Sequence, residues 1–140
     1  MSSEKDEDIK RLIKLIDPND QNAEWLKKLF REVTKIKESE QRRFLDEMNA
    51  DTVTALYYPT YDQYFSHAEI KELIKFYSSE IGIKLARYKS GNISAQFMPN
   101  ELEQIDQFKK TSTGKKYNKL LNKIVNQHTE AAKKYIDSLR

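Results

Sequence analysis

Apolar positions recur along this chain at intervals of three and four, the spacing that gathers them on one face of an α-helix. Ile9, Leu12, Ile13, Leu15 and Ile16 form the first stripe, and Asp17-Pro18-Asn19-Asp20 stops it. Asp17 or Asp20 can cap the helix that follows. That second stripe carries Trp25, Leu26, Leu29, Phe30, Val33 and Ile36, with Lys27, Lys28, Arg31 and Lys35 outside it. Trp25 is expected as a core anchor, because indole offers the largest apolar surface of any side chain. Around Ile36–Glu40 the chain either continues or turns. Phe44, Leu45, Met48, Thr52, Val53, Leu56, Tyr57 and Tyr61 then keep the spacing almost to the repeat. They predict a helix from about Glu38 to Tyr58, with Pro59 kinking or breaking it ahead of a second piece to Tyr64. The last stripe runs from Tyr117 through Ile124 and Ala131 to Leu139 and predicts a helix from about Ser112 to the C-terminus, on the order of 40 Å long. His128 lies on that stripe and reads as a partly buried histidine at a helix seam.

Between these segments one pattern occurs twice, 32 residues apart. Phe65 corresponds to Phe97, Glu69 to Glu101, Phe76 to Phe108, Gly82 to Gly114 and Lys84 to Lys116. Ser66 stands three residues before Glu69, the spacing of a capping box, with Phe65 at the staple position. The second stretch starts instead with Pro99 as first helical residue and Glu101 behind it. Ser79 is placed to cap a new helix, and Thr111-Ser112-Thr113 marks the equivalent break. Gly82 and Gly114 then fall just inside helices, where each costs roughly 1 kcal/mol against alanine. Such a cost at matching places points to close approach of another backbone segment at a tight corner. Lys89-Ser90-Gly91-Asn92 reads as the joint between the two stretches.

The expectation is an all-α fold. A disordered tail over 1–8 precedes a single multi-helix bundle over 9–140, with two copies of a helix-corner-helix repeat (65–96 and 97–128) and a long C-terminal helix. Composition agrees: hydrophobic residues make up 38% and charged ones 34%, which suits helices apolar on one stripe. Three glycines and three prolines leave little turn chemistry for hairpins. The absence of cysteine removes thiol catalysis, thiolate zinc sites and disulfides. No apolar run is long enough to cross a membrane. Met1–Asp8 is acidic and polar, unlike an export signal.

Tyr61, Phe65, Ser66, Glu69, Phe76, Tyr77, Gly82 and Lys84 together resemble the pattern of a bacterial family called domain of unknown function 2059. The likeness covers residues 52–120. That family usually has Ser-Pro before the glycine turn, where this chain has Ser79-Glu80, so the corner is capped differently. The resemblance implies an all-helical protein, normally exported, without an established activity. It carries over no catalytic residue. Periplasmic or secreted localisation is an expectation on that ground alone.

Candidate chemistry is sparse. The best case for catalysis joins Tyr64, His67 and Glu69 at one helix start, where free amides attract anions. The capping box already occupies Glu69, and neither a phosphate loop, a zinc pairing nor a nucleophile elbow is present. No catalytic residue, metal or cofactor is therefore expected. Tyr57, Tyr61 and Tyr64 share a helical face and Tyr58 points elsewhere; as core they bury rings, as surface they would anchor a partner. Phe76, Phe108 and Tyr117 are candidates to line a cavity. Charge is uneven along the chain. Residues 1–24 have a net charge of −3, and residues 112–140 one of +5. A basic last helix suits an anionic membrane surface or an acidic partner, whereas nucleic acid is not expected, since no aromatics interleave the basic residues. The reading is a non-enzymatic interaction module of the bacterial envelope, with an unknown protein partner or a second copy of itself. The alternative is a carrier of a small apolar or amphipathic ligand.

Overall fold

The computed structural model describes residues 3–88 and 97–139, so the expected joint at Lys89–Asn92 lies outside the described residues. Among the described residues there are eight helices and no strand: α1 Glu4–Ile16, α2 Gln21–Val33, α3 Glu38–Asp46, α4 Ala50–Tyr64, α5 His67–Ser78, α6 Glu80–Arg87, α7 Pro99–Lys110 and α8 Ser112–Ser138. The fold is an all-α bundle.

α1 is the centre of it. This helix packs on α4 and α5 and also reaches α6, while α8 covers α4, α5 and α7. Ile9 and Leu12 are fully buried, as are Ile70 and Leu73 of α5. The expected tail over 1–8 is corrected from Ser3 onward. Ser3 caps α1 reciprocally with Asp6, each side chain accepting from the other residue's amide, and this holds the acidic segment helical.

Two further boundaries differ from the periodicity. Asp17 caps α2 by accepting from the amides of Gln21 (2.8 Å) and Asn22 (2.9 Å), while Asp20 takes a left-handed conformation with φ 53°. The expected helix from Glu38 to Tyr58 is two helices, divided at Asn49, whose side chain accepts from the amides of Asp51 and Thr52. Pro59 breaks nothing and sits inside α4. Both Pro59 and Ala55, whose carbonyl loses its amide partner, face solvent, so water can hydrate the freed oxygen and the cost of the proline falls.

The corners at α5–α6 and α7–α8 share one construction. Ser79 donates through its hydroxyl to the Phe76 carbonyl, closing α5, and accepts from the Gly82 amide at 3.2 Å, opening α6. Thr111 does the same between Phe108 (2.7 Å) and Gly114 (3.0 Å). A Cβ on Gly82 would overlap the Phe76 carbonyl, and one on Gly114 that of Phe108. The close approach expected at both glycines is thus to the carbonyl that ends the preceding helix.

Candidate functional site

The capping box of α5 forms as expected, Ser66 accepting from the Glu69 amide (3.2 Å) and Glu69 from that of Ser66 (2.9 Å). Lys116 of α8 also donates to Glu69 at 2.9 Å. Burial raises the Glu69 carboxyl, but the Ser66 amide and Lys116 ammonium outweigh it and hold it below its ordinary value. His67 meets Asp8 of α1 at 2.7 Å through Nε2. Tyr64 accepts from Gln127 Nε2 at 2.6 Å. The three groups of the catalytic case therefore face two different elements, His67 turning to α1 and Glu69 and Tyr64 to separate positions of α8, each engaged in holding the bundle together.

The tyrosines divide as the spacing implies. Tyr57, Tyr61 and Tyr77 are buried, and Tyr117 packs on the same core with its ring 6.4 Å from that of Tyr77. Burial pushes the Tyr57 phenol up to about 12. Tyr58 lies apart and donates to Asp6 of α1, which raises its own phenol to about 12 and lowers the Asp6 carboxyl.

Phe76 and Phe108 stack with centroids 4.0 Å apart and planes 9° from parallel. No ligand fits between rings in contact, so the cavity expected among Phe76, Phe108 and Tyr117 is not formed by that pair. Lys84 donates to both Glu101 oxygens (2.9 and 3.0 Å) while lying 4.9 Å from the Phe97 ring. Lys116 lies 5.3 Å from the Phe65 ring.

The open apolar surface is elsewhere. A cleft of about 250 Å³ between α2 and α8 is lined by Trp25, Tyr57, Leu121, Val125 and His128. His128 is stacked flat on Tyr57, at 3.6 Å and 1°, so it is a seam residue that also forms a cleft wall. Trp25 is 37% exposed, which corrects its expected place in the core. The buried face of α2 is Ala23, Leu26 and Phe30, and Trp25 stands beside that line, over the cleft. Sequence periodicity counts Trp25, Leu121 and Val125 as stripe residues; only the splay between α2 and α8 leaves them uncovered.

Residues 51–99 match the model of a family described as uncharacterized protein conserved in bacteria (DUF2059), in agreement with the resemblance carried by Tyr61 to Lys84. The match begins in α4 and ends at the first residue of α7, shorter than the 52–120 of the resemblance. No curated protein and no solved structure significantly matches the chain.

Proposed function

We propose that the chain is a non-enzymatic binding module that receives an amphipathic helix of a protein partner in the α2–α8 cleft. The observation that carries this reading is the cleft itself. Leu121 and Val125, one turn apart on α8, face Trp25 on α2, and the three are 37%, 52% and 37% exposed. Two helices as walls suit a third helix presenting apolar anchors at three- and four-residue spacing. Asn22 and Thr129 also line the cleft and give it polar, uncharged groups, so recognition rests on shape and apolar contact.

Size argues against this particular cleft as a carrier's pocket. At about 250 Å³ the cleft falls below the roughly 300–1,000 Å³ of pockets that enclose drug-sized ligands. It is large enough for one or two anchoring side chains. Against turnover, His67, Glu69 and Tyr64 are tied to Asp8, Lys116 and Gln127. The compartment we assign, the bacterial envelope, rests on what the family resemblance implies. We also read 65–96 and 97–128 as two copies of one unit; the crossed pairs Glu69–Lys116 and Glu101–Lys84 support this.

A selection of displayed amphipathic helical peptides tests the binding reading, with fluorescence of the only tryptophan as readout. Peptides that shift Trp25 emission and are lost on Val125→Asp and Leu121→Asp are the expected result. Binders indifferent to both substitutions would place recognition elsewhere. Release of a discrete small molecule on denaturation, seen by native mass spectrometry, would favour the carrier.

A further inference from the structure

A second exposed apolar group lies on α6 and the start of α7, away from the α2–α8 cleft. Ile83, Tyr88 and Met98 are 38%, 43% and 63% exposed. All three line one cleft with Arg87. Ile83 and Arg87 also line an adjoining cleft of about 540 Å³ against α1, whose other side carries Lys10, Arg11 and Lys14. The two clefts therefore make one continuous face, apolar side chains beside a row of cations.

This row is hidden in the sequence, because residues 1–24 are net acidic. The fold uses the acids up locally. Asp6 serves the α1 cap and Tyr58, Asp8 meets His67, and Asp17 caps α2. Glu7 lines the cleft but sits 3.6 Å from Lys10, and Lys14 reaches Asp51 at the same distance with both side chains largely exposed. Beside Arg87, Lys84 occupies Glu101, and Glu80 is the remaining acid of that cleft. Among the described residues no acidic side chain pairs with Arg11 or Arg87.

The ligand chemistry follows from what the face offers. The helices that form it spend their interior amides and carbonyls within the helix, so an extended peptide finds no backbone to pair with. Its apolar members are aliphatic, thioether and phenol, suited to an acyl boundary rather than to base stacking. Cations next to exposed apolar groups are what a peripheral protein presents to an anionic lipid surface. We propose that this face docks on a bilayer rich in anionic phospholipid, with headgroup phosphates at Arg11 and Arg87 and with Ile83, Tyr88 and Met98 at the acyl boundary. The α2–α8 cleft stays free for its partner, so this inference stands apart from the proposed function.

Co-sedimentation of the full chain with phosphatidylglycerol or phosphatidylcholine vesicles is the test. The chain should pellet with phosphatidylglycerol only, and added salt should release it. Arg11→Gln with Arg87→Gln should lower partitioning roughly 25-fold, at about fivefold per cation near the surface. Ile83→Ser with Met98→Ser should weaken it at every salt concentration at which the native chain still pellets. Lys123→Gln with Lys134→Gln, on exposed positions of α8, should leave it unchanged. Three results would each overturn the proposal. One is no pelleting with phosphatidylglycerol at low salt. Another is an equal loss from the α8 pair, which would make binding a matter of net charge. The third is tight calorimetric binding of soluble glycerol 3-phosphate without pelleting, which would make the cleft a site for a free anion.

Discussion

Phe76 stacks on Phe108 at 4.0 Å, and the two residues hold the same position in stretches 32 residues apart. Around that stack the contacts cross over. Glu69 of the first stretch takes Lys116 of the second, and Glu101 of the second takes Lys84 of the first, both at 2.9 Å. Such reciprocity is what the two-copy reading proposed above leads one to expect, since equivalent surfaces of a two-fold pair exchange equivalent contacts.

The crossed pairs should differ in what they contribute. Glu69 caps α5 as well as pairing with Lys116, so Glu69→Ala removes cap and ion pair, whereas Lys116→Ala removes the ion pair and a ring contact with Phe65 but leaves the cap. Loss of the cap is worth about 1 kcal/mol, and the partly exposed pair about 0.5 kcal/mol. Urea denaturation of both single variants and the double should show Glu69→Ala costing more, with positive coupling to Lys116. Equal costs and no coupling would refute this division of labour.

The glycine corners allow no side chain. A Cβ at Gly82 or Gly114 meets a backbone carbonyl, which cannot move aside without opening the corner. Gly82→Ala and Gly114→Ala should each cost about 3 kcal/mol, and valine more, lowering Tm by on the order of 10 °C. Substitution of the exposed Gln107 serves as the control. An unchanged Tm in both glycine variants would show that the corners relax.

What the chain discloses beforehand is local. The stripes locate the helices, while Ser66, Ser79, Thr111 and the glycines mark their ends, because caps are formed by residues three apart. Periodicity runs straight through the α3–α4 break, since Met48 and Thr52 keep helical spacing while α3 ends at Asp46 and Asn49 starts the next helix. The start of α1 is disguised because Ser3 and Asp6 form a capping box inside an acidic, polar run. The place of Trp25 and the cations facing α6 are set by how helices splay and which acids each cation meets. Those are tertiary facts, and neither composition nor spacing contains them.

Acid should destabilise the fold through its capping carboxylates. Glu69 and Glu101 lie below their ordinary value of 4.5, and Asp6 below 3.8. A lowered folded value means that the unfolded chain binds protons first. The stabilisation is therefore complete above pH 4.5 and is lost as pH falls through the folded values. Denaturation midpoints measured across that range should fall for the native chain and fall less steeply for Glu69→Gln with Glu101→Gln. Identical slopes would sink the assignment.

Base should act through the phenols, with the opposite sign. Burial raises Tyr57 to about 12 and holds Tyr61, Tyr77 and Tyr117 well above 10. Here the folded chain keeps its protons longer, so stability is full below pH 10 and is lost as pH rises through the folded values. Tyrosinate absorbance and helical circular dichroism, followed together, should show the buried phenols ionising as the helices melt. Full ionisation near pH 10 with helicity intact would contradict a buried tyrosine cluster.

Trp25 and Phe30, both on the apolar side of α2, should respond unequally to truncation. Phe30 is 1% exposed and packs on Phe44 with ring centroids 5.8 Å apart, so Phe30→Ala leaves a cavity and should cost about 3–5 kcal/mol. Trp25 borders the open cleft, and Trp25→Ala should cost about 1 kcal/mol. Acrylamide should quench Trp25 in the native protein, and a peptide seated between α2 and α8 should protect it. Native fluorescence inaccessible to acrylamide, with Trp25→Ala as costly as Phe30→Ala, would close the cleft and remove the basis for partner binding there.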